Sequence, residues 1–173
     1  PRAVNVGVGH AAGKYLAYLA ADDYWLPEFA ATCVAILENE QMCEGVYTDF
    51  IEWHEEPWGG MKSIRRMPDF DPERLLREDY VNLSAFVTRW PLFLDPKWEP
   101  VSDWESVIRM TRNGLFIHVP KLLSVRRVHG NQITFTRHRE MVVKSFLLSF
   151  SYSPMAGIQR IAQAVFWPIV SRL

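Results

Sequence analysis

Residues 15–28 read YLAYLAADDYWLPE, and this stretch decides the fold class of the chain. Its apolar first half, residues 15–20, predicts a buried strand. Asp22 and Asp23 follow as an acidic turn, and Pro27 is typical of the first turn of a helix. The stretch therefore predicts a strand, a turn and the start of a helix, which is how an α/β unit begins.

The segments that follow continue this alternation. The first helix is predicted to end at Asn39 and to bury one face, formed by Phe29, Cys33, Ile36 and Leu37. Residues 45–50 and 84–89 predict two further strands. Residues 102–105 read SDWE, the S-x-x-E form of a capping box, so another helix is predicted to begin there. Its apolar face is predicted to contain Trp104, Val107, Ile108 and Thr111. The other predicted elements are a surface loop or hairpin tip at 53–60, a short helix through Arg77 with Asp71 as its N-cap, extended segments at 116–120 and 122–129, and a helical tail from Met141.

Composition and charge exclude several classes of protein. The chain has 173 residues, room for one ordinary domain, and is 49% hydrophobic and 23% charged, which excludes collagen-like, coiled-coil and disordered proteins. Its 19 Lys and Arg against 20 Asp and Glu leave a charge of -1, so sequence-independent binding of nucleic acid has no electrostatic basis. Cys33 and Cys43 form neither a disulfide scaffold nor a zinc knuckle, which favours a reducing compartment.

The beginning of the chain and its apolar runs set two further expectations. The first residue is Pro1 and no signal-peptide pattern follows it, so we expect a processed chain or a fragment of a longer one. The longest apolar run is well short of the roughly 20 residues of a membrane-spanning helix, which favours a soluble or peripheral protein.

Asp22 and Asp23 are the first candidates for chemistry. Ligands bind at the carboxyl ends of strands in open α/β sheets, and adjacent carboxylates are hard oxygen ligands that suit Mg²⁺ or Mn²⁺ on a diphosphate. The alternative is that both residues stabilise the N-terminus of the following helix through its dipole and its free N–H groups. The two residues alone do not decide between these interpretations.

Asp103 and His129 are the other candidates, each with a structural alternative. A carboxylate at Asp103 could act as a general base if it faces a cleft, or could only complement the helix dipole. His129 follows Arg126 and Arg127 and precedes a glycine, a combination that suits an anionic or diphosphate ligand. A single histidine is also common as an ordinary surface or core residue.

Taken in order, these segments resemble the family 2 glycosyltransferases, inverting enzymes of the GT-A fold. The strongest match is LAADDYWLP at 19–27, which is similar to the family signature LDADDxWxP. The resemblance covers about residues 5 to 135. No single piece is specific to the family, but the order and spacing of the pieces together are. The other matching pieces are NVG at 5–7, AGKYLA at 12–17, VYTDF at 46–50, NLSAFV at 82–87, SDWE at 102–105, Arg109, Gly114, VP at 119–120 and RRVHGN at 126–131.

The resemblance implies a fold, a reaction and roles for five residues. The fold is α/β, a GT-A (nucleotide-diphospho-sugar transferase, Rossmann-like) mixed sheet flanked by helices. The reaction transfers a sugar from a nucleotide-diphosphate sugar to an acceptor hydroxyl with inversion. Asp22 matches the usual ligand of Mg²⁺ or Mn²⁺, and Asp23 follows it as in the family. Asp103 matches the catalytic base. Arg127 and His129 match the late basic motif that contacts the diphosphate or its metal.

Two departures from the family pattern shape the expected organisation. Ala20 replaces the first aspartate of the D-x-D motif, which often touches the donor. The nucleotide-binding strands expected before Pro1 are missing, so the resemblance implies a GT-A domain incomplete at its N-terminus, over residues 1–140. Residues 141–173 are expected to be a C-terminal helical extension. Within it, residues 158–170 predict an amphipathic helix that docks on the domain or on a membrane surface.

Partners and alternatives follow from the same resemblance. The acceptor would be a sugar, a lipid-linked sugar or a protein, in cell-surface polysaccharide or glycan synthesis, with a cytoplasmic location that is free or peripheral on the inner face of a membrane. One alternative, motivated by Ala20, is a non-catalytic or truncated relative that acts as a binding or scaffold module. Another is a nucleotidyltransferase, which ranks last because it has no use for Asp103 or His129.

Overall fold

The computed structural model of the chain describes residues 1–55 and 60–160, which form a mixed sheet with helices on both faces. This confirms the predicted α/β class. The strands are β1 (Leu16–Ala17), β2 (Tyr24–Trp25), β3 (Cys43–His54), β4 (Lys62–Arg65), β5 (Phe86–Thr88) and β6 (Leu115–Val128). The helices are α1 (Arg2–His10), α2 (Phe29–Asn39), α3 (Pro72–Leu75), α4 (Ser102–Met110), α5 (Ile133–Thr136) and α6 (His138–Tyr152).

The sheet is built around two long strands, β3 and β6. The strand order is β1-β5-β3-β6-β2, and β4 pairs with the second half of β3. β3 and β6 run parallel, whereas every other pair is antiparallel. β6 joins the two predicted extended segments at 116–120 and 122–129 into one strand. The predicted loop at 53–60 is in part a hairpin, since Trp53 and His54 end β3 and β4 returns beside it.

Apolar side chains leave both faces of the sheet, so the chain has a core on each side. Val46 and Tyr47 are adjacent on β3 and belong to different clusters, as expected from the alternation of side chains along a strand. Val46 packs with the buried face of α2 and Tyr47 with that of α4. The face predicted for α2 is confirmed by the burial of Phe29, Cys33 and Leu37, and that for α4 by Trp104, Val107 and Ile108.

The opening stretch of the chain differs from its prediction. The buried strand predicted at 15–20 is only the two-residue strand β1, which pairs with β5 at one end of the sheet and is partly exposed. Tyr24 and Trp25 form a second short strand that pairs with β6. Asp22 and Asp23 therefore lie in a turn between two strands, and α2 begins only at Phe29. The alternative in which these aspartates stabilise the N-terminus of α2 is wrong.

The predicted capping box at 102–105 is also wrong. The N-cap of α4 is Val101, so Ser102 is already its first helical residue and makes no side-chain capping bond. Glu105 instead accepts hydrogen bonds from Arg109 and from the Tyr152 hydroxyl. A tertiary contact with α6 has taken the carboxylate that the local motif would use. By contrast, the Asp71 cap is confirmed, since its side chain accepts from two backbone N–H groups of α3, which ends at Leu75.

The C-terminal part begins as a helix that belongs to the core. α6 starts at His138, crosses the predicted boundary at 140, and buries Leu148 completely in the cluster that contains Tyr47 and Trp104. The division of the chain at residue 140 stays a prediction. The predicted amphipathic helix at 158–170 lies outside the described residues from position 161 onward. Within residues 1–55 and 60–160, no helix is both long and apolar enough to cross a membrane.

Candidate active site

A cavity of about 980 Å³ lies where the turn after β1, the segment before β5, the start of α4 and the end of β6 meet. Residues far apart in the sequence line it because the sheet brings these segments together. The charged and titratable residues that line it include Tyr18, Asp22, Asp23, Asp79, Asp103, Arg126 and His129.

Asp22 is joined to the loop after β6. His129 Nε2 donates to Asp22 Oδ2 at 3.0 Å, and Gln132 Nε2 approaches the same oxygen at 3.4 Å. The Asp22 and His129 side chains are about one-third exposed, so both remain accessible from the cavity. Burial alone would raise the pKa of Asp22, but the hydrogen bonds, chiefly that from His129, lower it. Asp22 is therefore held as a carboxylate.

Asp23 fixes the geometry of the turn. Its Oδ1 accepts a hydrogen bond from the backbone N–H of Arg127 at 3.0 Å, which attaches the turn to β6. Burial raises the pKa of Asp23 and outweighs the hydrogen bonds from the Ser84 hydroxyl and the Arg127 N–H. Ser84 Oγ also accepts from the backbone N–H of Ala20 at 3.2 Å. Both ends of the turn are thus held by neighbouring segments.

Asp103 is the second residue of α4 and lines the cavity. Its Oδ1 accepts from the backbone N–H of Trp104 at 2.9 Å. Burial raises the pKa of Asp103, which makes its carboxylate a stronger base than an exposed aspartate. The condition set from the sequence, that Asp103 faces a cleft, is met.

Tyr18 shows how close the three aspartates are. Burial raises the pKa of this phenol, and the negative charges of Asp103, Asp23 and Asp22 raise it further, in that order. A single side chain on the wall of the cavity therefore interacts with both the acidic turn and the start of α4. The turn and α4 face one common space.

The two arginines at the end of β6 have different surroundings. Arg126 lines the cavity and lies 3.3 Å from Glu52 Oε1. Arg127 instead pairs with Glu55 through both Nε and Nη2, and its guanidinium lies over the ring of Trp53 at 5.6 Å. Consecutive strand residues point to opposite faces, which explains the difference. Arg127 approaches the acidic turn only through its backbone N–H.

The residues beside Asp22 suit a divalent cation that a ligand helps to hold. Asp22 and His129 supply one hard oxygen and one imidazole nitrogen within 3.0 Å of each other. Gln132 Oε1 is buried next to them without a hydrogen-bond partner in the described part of the chain. Residues 1–55 and 60–160 contain no group of three or more His, Cys, Asp or Glu side chains arranged around a metal. The donor set therefore fits Mg²⁺ or Mn²⁺ if diphosphate oxygens complete it.

Sequence reasoning missed part of this cavity. Side chains alternate between the two faces along a strand, so only one of Arg126 and Arg127 can point into the cavity. The orientation of one other residue of β6 would have been enough to choose Arg126. Gln132 lies three residues after His129, within reach of the same turn. Asp79 has no local signal, because nothing near it in the sequence indicates that its segment closes over α4.

The chain is similar to a known protein in structure but matches none in sequence. No protein-family model matches the chain, and no curated protein matches its sequence. Among solved structures, S. aureus TarS 1–349 in complex with UDP-GlcNAc is similar, with a TM-score of 0.54 and 12% sequence identity. The similarity covers 81% of this chain and 45% of that one. The chain has a glycosyltransferase fold.

The likeness confirms the expected architecture, a mixed sheet flanked by helices as in an incomplete GT-A fold. At 12% identity it shows the fold alone. The chain spans less than half of the TarS structure, so the activity, substrates and partners of a whole protein are matters for proposal. Membership of family 2 and the roles of Asp22, Asp23, Asp103, Arg127 and His129 stay predictions.

Proposed function

We propose that the chain carries the catalytic part of an inverting glycosyltransferase of the family 2 type. It would transfer a sugar from a nucleotide-diphosphate donor to an acceptor hydroxyl. The observation that carries the proposal is that a single cavity contains the Asp22–His129 pair and, separately, the half-buried carboxyl group of Asp103. One group suits a diphosphate with its cation and the other suits deprotonation of an acceptor.

The donor would lie against the acidic turn. Asp22 and His129 would hold Mg²⁺ or Mn²⁺, which neutralises the negative charge that develops on the leaving diphosphate. Arg126, which lines the same cavity, would offer its guanidinium to the phosphate oxygens. Arg127 does not line the cavity, and its side chain is paired with Glu55. Asp23 would keep the turn in position through the Arg127 N–H.

Asp103 would act on the acceptor. Its carboxylate takes the proton from the acceptor hydroxyl as the hydroxyl oxygen attacks the anomeric carbon of the sugar. The new carbon–oxygen bond forms on one face while the bond to the diphosphate oxygen breaks on the other, so the configuration inverts. The leaving diphosphate carries away the electron pair. One carboxylate is enough for this direct displacement.

The wider setting follows from the same resemblance. The acceptor is proposed to be a sugar, a lipid-linked sugar or a protein, and the product a cell-surface polysaccharide or glycan made at the cytoplasmic side of a membrane. Ala20 leaves one carboxylate of the D-x-D motif absent. The donor is therefore expected to be held without that contact.

The test combines donor binding with turnover. Thermal unfolding is measured with Mn²⁺ and a panel of nucleoside diphosphates and nucleotide sugars, with UDP-N-acetylglucosamine as the first probe. A ligand at one hundred times its dissociation constant should stabilise the protein by about 2.7 kcal/mol. Asp22→Asn should lose the Mn²⁺-dependent part of this shift. Asp103→Asn should keep it and lower kcat about 10²–10⁴-fold. Glu28→Gln, which removes an exposed carboxylate at the start of α2, is the control.

Three results would contradict the proposal. Unchanged turnover in Asp103→Asn would exclude its role as the base. Binding of no nucleotide would favour the non-catalytic relative. Release of pyrophosphate from a nucleoside triphosphate and a sugar phosphate would identify a nucleotidyltransferase instead.

A further inference from the structure

Helix α6 carries apolar side chains on two opposite sides. On its inner side, Leu148 and Tyr152 pack in the core of the sheet. On its outer side, Val143, Leu147 and Phe150 are 58%, 54% and 43% exposed. These three residues follow one another at intervals of four and three, so they form a single stripe along the helix, the outer stripe. A helix that is apolar on both sides is ordinarily covered on both, but the outer stripe is open in the described part of the chain.

The outer stripe continues into the segment after α6. Residues 154–160 are helical and pack against Phe150, since a Cβ atom added to Gly157 would overlap its ring. Met155 and Ile158 of this segment are also exposed. Residues 145–159 contain no Asp, Glu, Lys or Arg. An exposed apolar surface of this extent marks a contact with another molecule or with a membrane.

The charges beside the outer stripe are positive. Residues 137–173 contain five Lys or Arg and one Asp or Glu, a net charge of +4 in a chain whose total is -1. The one acidic residue, Glu140, is paired with Arg137. Arg139 lies one turn before Val143 on the same side of α6, is exposed, and has no ion pair in the described part of the chain. Apolar side chains bordered by an unpaired cation complement a surface that is apolar inside and negatively charged outside.

Two other occupants fit this charge pattern less well. A second copy of the chain would bring the same positive charges to both sides of the contact, because a two-fold interface uses one patch twice. The end of the same chain, residues 161–173, contains no Asp or Glu that could pair with Arg139. An anionic lipid surface supplies both the apolar medium and the negative charge.

We propose that the outer stripe of α6 docks on an anionic membrane surface. Its apolar side chains enter the acyl region, and Arg139 lies at the level of the lipid phosphates. The helix lies along the membrane plane, which leaves its inner side in the core of the sheet. Met141, on the inner side of α6, lines the cavity of the candidate active site. The membrane is therefore one helix diameter, roughly 10 Å, from this part of the cavity wall.

Sedimentation of the full chain with vesicles tests the inference. Binding is expected to vesicles of equimolar phosphatidylcholine and phosphatidylglycerol, with weaker binding to phosphatidylcholine alone and at high salt. Leu147→Asp should weaken binding at least about tenfold, because it places a charge in the acyl region. Arg139→Glu should weaken binding to the mixed vesicles about tenfold and change binding to phosphatidylcholine little. Met42→Asp is the matched control, since Met42 is an exposed apolar residue in the turn between α2 and β3.

A fluorescent label reports directly which surface meets the membrane. Cys33 and Cys43 are buried, so an environment-sensitive fluorophore can be attached at a single new cysteine. With mixed vesicles, the emission of the label on Leu147→Cys should shift to shorter wavelength, whereas that on Met42→Cys should stay unchanged. Urea unfolding of each variant checks that the fold keeps its stability, as expected for substitutions of exposed side chains.

Several results would overturn the inference. The first is absence of binding to either kind of vesicle, and the second is equal binding of Leu147→Asp and the wild type. A dimer in the absence of lipid that Leu147→Asp dissociates would identify a second copy as the occupant. Loss of binding in Phe166→Asp together with full binding of Leu147→Asp would assign the contact to the amphipathic helix predicted at 158–170. None of these measurements involves a nucleotide, so the inference and the proposed function stand or fall separately.

Discussion

Asp49 shows at the residue scale that a buried carboxylate need not belong to the active site. Its side chain is completely buried on β3. It accepts hydrogen bonds from the Met67 N–H and Arg66 at 2.8 Å each and from His118 at 2.9 Å. Burial alone would raise the pKa of Asp49, but these three bonds lower it below its ordinary value of 3.8. Asp49 therefore attaches the segment after β4 to the centre of the sheet.

Replacing this carboxylate should cost stability in a pH-dependent way. Asp49→Asn places an amide N–H opposite other donors and should lower the free energy of unfolding by roughly 1.5–3 kcal/mol at pH 7. A lowered folded-state pKa contributes stability that is present above 3.8 and is lost as the pH falls through the folded value. The difference between variant and wild type should therefore shrink below pH 4, measured by urea unfolding at pH 7 and pH 3.

Asp69→Asn is the matched control for this prediction. Asp69 lies 3.1 Å from the other nitrogen of the same His118 ring, but its side chain is fully exposed. We expect it to change the stability little at either pH. Equal effects of the two variants at pH 7 would contradict the role given to Asp49.

At the element scale, the contact between β3 and its neighbours depends on a residue without a side chain. Gly45 is buried where β3 pairs with Thr88 of β5 and Phe116 of β6. A Cβ atom at this position would overlap the ring of Phe86 and come within 3.3 Å of Phe116. The glycine is required here by the close approach of two aromatic rings and not by its backbone conformation.

Alanine at two glycines should therefore have opposite effects. Gly45→Ala forces the Phe86 ring to move in a packed core and should lower the free energy of unfolding by about 1–3 kcal/mol. Gly7 lies in α1 with no atom within 4 Å of the added Cβ, so Gly7→Ala should stabilise the protein by about 0.5–1 kcal/mol through helix propensity. Chemical denaturation of both variants measures the two signs. A Gly45→Ala variant with an unchanged free energy of unfolding would show that the Phe86 and Phe116 rings can move aside for the added Cβ atom.

At the scale of the whole molecule, the C-terminal helix α6 shares the core of the sheet. Leu148 is completely buried in the cluster of Tyr47 and Trp104. Tyr152 packs against the same cluster and donates to Glu105 of α4 at 2.9 Å. A helix held in this way should unfold together with the sheet and not as a separate extension.

The adjacent residues Leu147 and Leu148 provide the test. Leu148→Ala should lower the free energy of unfolding by about 2–5 kcal/mol, because it leaves a cavity in the core, and should shift a single cooperative transition. Leu147 is 54% exposed, so Leu147→Ala should have a small effect. Calorimetry distinguishes the outcomes: a Leu148→Ala protein with two transitions, of which only one is shifted, would favour an independent extension after residue 140.

The sequence by itself determined the α/β class, the buried faces of α2 and α4 and the Asp71 cap. Each of these depends on a local period or on a residue and its immediate neighbours, so it can be found without knowing the rest of the chain. The sequence also pointed to Asp22, Asp103 and His129, which the structure brings to one cavity.

Only the tertiary structure decided the rest, and the reason is the same in each case. The two-residue strand β2 exists because β6 offers it hydrogen bonds, and no local pattern encodes that pairing. The Glu105 carboxylate accepts a hydrogen bond from the hydroxyl of Tyr152, 47 residues away, and does not make the capping bond that the local motif predicts. Arg126 and Asp79 face the cavity because of strand direction and packing. These interactions form only when distant segments meet, so they cannot be read from neighbouring residues.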